Sequence, residues 1–244
     1  MEGFLSRYSR TVLLEGIDFE GQKKISNSKI LILGAGGLSS TIISILAASG
    51  IGTIYIIEPD SLELSNLQRQ FIYKEKDIGT SKALLAKQFI ESLNSNVEVI
   101  IKTSPFQVQN IDAILDATDS FKSRLDSNKL AMQLGVPFFT GSAVNFTGHV
   151  YSFFPSMQTG CYSCLFGNDE SYIEAKTCAN SGVFPALPSV IGSIMAHNIL
   201  FFLSYHQINL QEFFTKFILV DFLKQKYFKE VTFERDTQCT ICQK

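Results

Sequence analysis

The sequence predicts an α/β fold in which a mainly parallel β-sheet is flanked by helices and extended by antiparallel strands. Short apolar runs alternate with helical segments through residues 1–141, which is typical of βαβ units and a parallel sheet. The pattern changes in residues 142–244, where apolar runs face each other across a short turn. A length of 244 residues suits one domain. We therefore expect a single domain with a first half at 1–141 and an antiparallel extension, ending in a tail, at 142–244.

The elements of the first half are marked by their apolar residues and by the residues that end them. We expect strands at 29–33, 53–57, 97–101, 111–115 and 136–140, and helices at 38–49, 81–93 and 121–134. Short continuous apolar runs are typical of strands that are buried on both faces of a parallel sheet. Gly50 is expected to end the first of these helices.

The second half begins with two apolar runs, 142–146 and 149–154, on either side of Thr147 and Gly148. Two such runs around a short turn predict a β-hairpin. A helix is expected at 187–204, followed by strands at 217–220 and 231–233. These strands are expected to extend the parallel sheet in antiparallel fashion.

The helix at 187–204 overlaps the most apolar run of the chain, 183–203, which is nominally long enough to span a bilayer. Pro185 and Pro188 interrupt that run, and His197 lies within it. We therefore expect a buried core or interface helix and no membrane span.

The composition excludes several classes of protein. Apolar residues make up 45% of the chain, which excludes intrinsic disorder. The 21 Lys and Arg residues against 23 Asp and Glu give a net charge of −2, which argues against electrostatic binding to nucleic acid or to a membrane surface. Charged residues at 18% fall below the usual share of about 25%, which suggests surface buried between subunits. The N-terminus has no basic cluster before an apolar stretch, so we expect a cytoplasmic protein.

A glycine-rich loop follows the first strand and opens the first helix of this half. It contains Gly34, Gly36 and Gly37, with Ser39 in the sixth position. This arrangement brings backbone N–H groups and a helix N-terminus up to phosphates, and a side chain in the loop would block that approach. Glu58 ends the second strand, where a carboxylate can accept hydrogen bonds from a ribose. The pattern indicates a nucleotide, and NAD is the first candidate.

Further polar residues favour a triphosphate over NAD. Asn66 and Arg69 follow the ribose acid, and Lys82 stands at the start of the next helix. A triphosphate needs more cations than a dinucleotide does, and Arg69 and Lys82 could supply them. Asp119 follows the fourth strand, where it could hold Mg²⁺. The alternative is that Arg69 and Lys82 are surface residues and that Asp119 caps a helix. Taken together and in this order, the residues favour ATP.

Five segments of the chain resemble the ThiF/MoeB/HesA family of adenylyltransferases, which are relatives of ubiquitin-activating enzymes. The segments are 7–10, 34–39, 64–70, 78–82 and 116–119. The resemblance covers residues from Arg7 to Cys242 and implies a Rossmann-like fold. It also implies that the chain adenylylates the C-terminal glycine of a small ubiquitin-like sulfur carrier, of the thiamine or molybdopterin type, with release of pyrophosphate.

The resemblance implies roles for single residues. Gly37 and Glu58 would contact the nucleoside end of ATP, and Asn66, Arg69 and Lys82 the phosphates. In the family these contacts position the α-phosphate for attack by the carboxylate of the carrier.

The resemblance also implies partners. Asp119 would organise Mg²⁺, and Arg10 would reach the ATP of the neighbouring subunit in a homodimer. The carrier would end in Gly-Gly, and a cysteine desulfurase or a rhodanese would supply sulfur.

The chain departs from the family pattern at four places. Ser39 stands where the last glycine is usual, and Glu58 where aspartate is common. Ser120 replaces an asparagine, and the connection at 101–111 is shorter than the usual crossover with its helix. The short connection bears on carrier docking more than on ATP binding.

Four of the five cysteines form two pairs, Cys161 with Cys164 and Cys239 with Cys242. Two intervening residues let both thiolates of a pair face one ion, and two pairs complete a tetrahedral zinc site with no open position. The alternatives are disulfides or redox-active pairs, but no sign of secretion or of a thioredoxin-like context supports them. We expect a structural zinc site, and the family carries both pairs.

Cys178 is the fifth cysteine, and it has two interpretations. It could be a small buried residue. It could instead be a nucleophile or sulfur acceptor, because Lys176 would favour its thiolate, and in the family a cysteine in this loop can link to the activated carrier.

Three alternatives to carrier activation stay open. The acceptor could be a ribosomal peptide or another small-protein C-terminus. The chain could be a non-catalytic, zinc-stapled nucleotide-binding scaffold. An NAD-dependent oxidoreductase would leave Arg69, Lys82 and Asp119 unexplained.

Overall fold

The computed structural model of the protein describes residues 2–157, 159–167, 181–205 and 217–243. The helices are α1 (Glu2–Val12), α2 (Asp18–Asn27), α3 (Gly37–Ala48), α4 (Lys82–Leu93), α5 (Phe121–Leu134), α6 (Tyr162–Phe166) and α7 (Leu187–Ser204). The strands are β1 (Lys29–Leu33), β2 (Thr53–Ile57), β3 (Glu98–Ile101), β4 (Ala113–Asp116), β5 (Phe138–Val144), β6 (Thr147–Phe153), β7 (Phe217–Asp221) and β8 (Phe228–Val231).

These strands form one sheet in the order β3-β2-β1-β4-β5-β6-β7-β8. Strands β1 to β5 pair in parallel, and β6 to β8 continue the sheet in antiparallel pairing. The chain runs outward from β1 through β2 to β3 and then crosses to β4 on the other side of β1. Such a reversal opens a crevice beyond the carboxyl ends of the central strands, where ligands bind in folds of this kind. The α/β fold with an antiparallel extension is confirmed.

Helix α7 packs against α3 and against strands β5 and β6. It is the one described helix that is long and apolar enough to cross a membrane, and half of its length is buried inside the protein. Its core side chains Ile191, Met195 and Ile199 are fully buried. The helix therefore belongs to the core, as the interrupted apolar run predicted.

The predicted hairpin turn at Thr147 and Gly148 is wrong. The two runs at 136–140 and 142–146 are parts of one strand, β5, and the turn to β6 lies at 145–146. Gly148 is inside β6, paired with Ala143, and a Cβ atom there would lie 2.5 Å from Ser142 O of β5 and 2.9 Å from Ile191 of α7. That glycine is needed for the close approach of β5 and α7 and not for a turn.

Other differences concern the bounds of single elements and the helices that were not predicted. The last strand is β8 and not the predicted 231–233, because the backbone bond from Asp221 N–H to Tyr227 O (2.9 Å) starts the β7–β8 ladder next to the turn. Helices α1, α2 and α6 were not predicted. Between β3 and β4 the chain forms one 3₁₀ turn, Pro105–Gln107, which agrees with the short connection expected there. The boundary expected at residue 141 falls inside β5, and the division into halves stays a prediction.

Candidate active site

The glycine-rich loop joins β1 to α3 at the centre of the sheet. Gly34 has a φ of +88°, and a Cβ atom there would lie 3.2 Å from Ala117 O, so the position requires glycine. The Ser39 hydroxyl is buried and donates to Gly34 O at 2.5 Å. Serine in the sixth position therefore ties the loop to the first turn of the helix.

Glu58 lies directly after β2 and fixes the loop from the side. One carboxylate oxygen accepts from Ala35 N–H at 2.6 Å, and the other accepts from Asp60 N–H at 2.9 Å. Each oxygen has a second lone pair, so the carboxylate can still accept from a ligand hydroxyl.

An open cavity of about 1330 Å³ lies at the carboxyl ends of these strands. Its lining includes every residue that the sequence analysis assigned to the nucleotide site of the same chain. These residues are Gly34, Gly36, Gly37, Glu58, Asn66, Arg69, Lys82 and Asp119. Residues from four separate chain segments therefore meet in one crevice, as the strand order requires.

Lys82 is the first residue of α4 and is only 6% exposed, so its interpretation as a surface residue is wrong. Its Nζ lies 3.4 Å from Asp60 Oδ2, and its backbone N–H donates to Asp60 O at 3.0 Å. The Tyr73 hydroxyl donates to Ala35 O at 2.7 Å, and burial, together with the charge of Glu58, raises the pKa of Tyr73 far above its usual value. Tyr73 therefore stays a donor that joins the loop to the start of α4.

Asn66 is the last residue of the 3₁₀ turn Leu64–Asn66, and Arg69 follows three residues later. Asn66 is buried, and its Oδ1 accepts from Glu63 N–H at 3.3 Å. Arg69 is half-buried, and its guanidinium donates to Ser65 O at 3.1 Å. A Cβ atom at Gly37 would lie 3.3 Å from Arg69 Cγ, so the glycine lets the arginine pack directly against the loop.

Asp119 follows β4 and is exposed in the cavity. The N-cap of α5 is Ser120, whose hydroxyl accepts from Ser123 N–H at 3.3 Å. The alternative of Asp119 as a helix cap is therefore wrong. The buried Asp116 holds the turn before it by accepting from Thr118 N–H at 2.9 Å. Serine at 120 has a structural role of its own.

The residues of the cavity wall that the sequence analysis missed include Asp60, Phe106 and Arg124. Asp60 stands two residues after Glu58, a spacing that could have revealed it. Arg124 is buried and donates from Nη2 to Thr118 O at 2.8 Å. Burial, together with the charge of Arg124, lowers the pKa of His149 to about 3, so this neighbouring imidazole stays neutral. Phe106 gave no signal, because it stands alone in a polar connection.

Arg10 does not line this cavity. It is exposed in the last turn of α1. The helix is anchored by the buried Tyr8, whose hydroxyl accepts from Asn94 Nδ2 at 2.9 Å. The predicted contact with the ATP of a neighbouring subunit stays a prediction. Cys178 lies outside the described residues.

The four paired cysteines come together at the far side of α5, in what we call the four-cysteine cluster: Cys161, Cys164, Cys239 and Cys242. The Sγ atoms lie within 4.8 Å of one another. The distance is 3.7 Å from Cys161 to Cys239, 3.9 Å from Cys161 to Cys164 and 3.4 Å from Cys164 to Cys242. All four thiols are free, since an S–S bond needs about 2.05 Å.

The cluster fits a tetrahedral metal ion. Four sulfurs at about 2.3 Å from zinc lie about 3.8 Å from each other, which is close to the three distances observed. Asn128 is fully buried, and its Nδ2 lies 3.4 Å from Cys161 Sγ and 3.3 Å from Ser163 Oγ. Its Oδ1 accepts from Tyr162 N–H at 3.2 Å. A donor to a ligating sulfur is the kind of outer contact that orients metal ligands.

Comparison with known proteins gives four further findings. A family model described as the ThiF family matches residues 8–241. The chain is 32% identical over 249 residues to the sulfur carrier protein adenylyltransferase of Thermus thermophilus, covering 98% of this chain and 90% of the relative. It is 32% identical over 197 residues to the sulfur carrier protein ThiS adenylyltransferase of Escherichia coli, covering 78% of each. A crystal structure of E. coli MccB with MccA superposes with a TM-score of 0.83 at 25% identity, covering 97% of this chain and 74% of that one.

Proposed function

The chain belongs to the ThiF family and is an adenylyltransferase, and we propose that it uses ATP to activate the C-terminal glycine of a small ubiquitin-like sulfur carrier. The observation that carries this proposal is the meeting of the glycine loop, Glu58, Arg69, Lys82 and Asp119 in one open cavity. The relatives named sulfur carrier protein adenylyltransferases support the class of acceptor. The thiamine type and the molybdopterin type of carrier are both candidates.

The reaction joins two anions, so positioning and charge neutralisation are its main requirements. A carboxylate oxygen of the carrier attacks the α-phosphorus of ATP. The bond from that phosphorus to the bridging oxygen breaks, and its electron pair leaves with pyrophosphate. The acceptor needs no general base because a C-terminal carboxylate is already ionised at neutral pH. Arg69 and Lys82 would offset the growing negative charge on the phosphates.

Asp119 would hold Mg²⁺, which prefers oxygen ligands and would neutralise phosphate charge when bound. Gly37 and Glu58 would contact the nucleoside, and Asn66 would donate to the phosphates. Arg10 would act across a homodimer, which its exposed position outside the cavity of its own chain permits. A cytoplasmic location is part of the proposal.

The four-cysteine cluster would hold Zn²⁺ in a structural role. The spacing of the sulfurs supports this ion, because all four ligand positions are filled by thiolates and none is left for a substrate. The zinc would pin the C-terminal tail to the start of α6.

Acceptor-dependent exchange of pyrophosphate into ATP tests the proposal. We expect exchange only when a carrier ending in Gly-Gly is present, and none with the same carrier lacking its last glycine. If thiamine-type and molybdopterin-type carriers both leave exchange at background while ATP binds, the proposed acceptor is wrong.

A peptide C-terminus is the second candidate acceptor. The observation that favours it is the similarity to E. coli MccB, which was solved with a selenomethionine form of MccA, a partner that therefore contains amino acids. The same exchange assay separates the two: exchange with short peptide acids and none with carriers would favour the peptide.

Sulfur transfer through Cys178 would follow adenylylation. The thiolate would attack the outer sulfur of a cysteine persulfide on a cysteine desulfurase or a rhodanese and release the donor thiolate. Alternatively, it would attack the carbonyl carbon of the activated carrier and release AMP. We expect Cys178→Ala to keep full exchange and to lower the yield of carrier thiocarboxylate, measured by mass spectrometry. An unchanged thiocarboxylate yield would end the relay hypothesis and leave the adenylylation proposal standing.

A further inference from the structure

The connection between β3 and β4 presents an exposed aromatic side chain to the cavity. Phe106 lies in the 3₁₀ turn Pro105–Gln107 and is 78% exposed, yet it lines the cavity wall together with Pro105. A ring that is this exposed adds little to the stability of the folded chain, because most of its apolar area stays in water. A ligand that covers the ring would gain binding free energy from burying that area.

The turn is held in place by its own hydrogen bonds and by the core. The Ser104 hydroxyl accepts from Phe106 N–H at 3.4 Å, and Gln107 Oε1 accepts from Thr103 N–H at 3.3 Å. Val108 is buried and packs in the core below. The backbone around Phe106 is therefore fixed while its side chain stays outside the core.

The order of the strands places Phe106 beyond the ribose end of the site. Arg69 and Lys82 mark the phosphate end, and Glu58 after β2 marks the ribose. The neighbour of β2 on the side away from β1 is β3, and the chain leaving β3 leads to Phe106. A nucleotide with its phosphates at Arg69 and its ribose at Glu58 therefore points its base at this connection.

We propose that Phe106 forms the stacking surface for the base of the bound nucleotide, an inference that rests on the proposed use of ATP. The face of a purine would cover the exposed ring of Phe106. Stacking depends on the π-face that all bases share, so Phe106 contributes affinity for nucleoside triphosphates without choosing between adenine and guanine.

Binding of two probes to the full chain tests this role. We expect Phe106→Ala to weaken ATP binding at least about fivefold by isothermal titration calorimetry, because one base–aromatic stack contributes about 1–3 kcal/mol. Inorganic tripolyphosphate has no base, so its affinity should be equal in the wild type and in Phe106→Ala. Phe106→Trp keeps an aromatic face and should keep ATP affinity.

Phe228→Ala is the matched control, because Phe228 is 53% exposed on β8 and does not line the cavity. ATP affinity in Phe106→Ala equal to that in Phe228→Ala overturns the stacking role, and so does an equal loss for ATP and tripolyphosphate. If the wild-type protein binds ATP but none of the acceptors supports pyrophosphate exchange, the proposed function is wrong and the stacking role stands. A wild type that binds no ATP overturns both.

Discussion

The cavity and the four-cysteine cluster are both assembled from distant parts of the chain, but they satisfy their polar groups differently. In the cavity, Asp119 is exposed and Glu58 uses one lone pair of each oxygen on backbone N–H groups. In the cluster, Cys161, Cys239 and Cys242 are buried and the sulfurs face each other. The cavity keeps polar groups free to bind a ligand reversibly, whereas the four sulfurs of the cluster face one another and leave no position for a substrate. The first is suited to turnover and the second to holding the fold.

Removing charge from the cavity should have the largest effect on activity and a small one on stability. We expect Arg69→Ala and Asp119→Ala each to lower acceptor-dependent pyrophosphate exchange by about 10²-fold or more, since the first removes a cation from the reacting phosphates and the second removes the ligand proposed for Mg²⁺. Their thermal unfolding midpoints should match the wild type, because Asp119 is exposed and Arg69 half-buried.

Asp77→Asn is the control for Asp119→Ala, because Asp77 lies in the 3₁₀ turn Glu75–Asp77 and does not line the cavity. It should exchange like the wild type. Full exchange by Asp119→Ala would remove that carboxylate from the proposed site.

Breaking the four-cysteine cluster should have the opposite effect: a large loss of stability and a small change in ATP binding. We expect Cys242→Ser to lose the bound metal, measured by atomic emission, and to lower the free energy of unfolding by several kcal/mol, because metal binding and folding are coupled in closed thiolate sites. ATP binding by the fraction that stays folded should be within about twofold of the wild type, since distant sites act independently. Gln238→Ala is the control: it is exposed beside Cys239 and should keep its metal. Purified wild-type protein with no metal and no sensitivity to chelators would contradict the zinc proposal.

The sequence predicted the parallel half of the sheet well because local signals and tertiary structure agree there. Strands β1 and β2 have the expected bounds, and the glycine loop follows β1 as predicted. The same reasoning failed at Gly148, where glycine serves the packing of α7 against the sheet. Neither the periodicity of apolar residues nor a residue typical of turns shows which helix will pack across a strand.

The candidate site shows the same limit. Its loop and its charged residues were predictable because each carries a chemical reason at a fixed place after a strand. Phe106 and Arg124 were not, since their place in the cavity depends on where the β3–β4 connection and α5 lie in space. The spacing of the four cysteines was enough to predict that they pair. Their neighbour Asn128 could be identified only from the position of α5.

Helix α5 separates the two regions, and Asn128 allows the smallest and most specific test of their difference. Ser127 on this helix lines the cavity, while Asn128 donates to Cys161 Sγ. We expect Asn128→Ala to weaken metal binding about 10-fold or more, because outer contacts of this kind typically contribute 10- to 100-fold to metal affinity. The measurement is competition for zinc with a chromophoric chelator.

Ser163→Ala is the matched variant for this test. It removes the other acceptor of the same Asn128 amide and leaves the contact with Cys161 in place, so metal affinity should change little. Exchange activity at saturating zinc should be the same in both variants, because neither Asn128 nor Ser163 lines the cavity. If Asn128→Ala instead lowers exchange while metal affinity stays at the wild-type value, then α5 couples the two regions and their separation into a turnover site and a holding site is wrong.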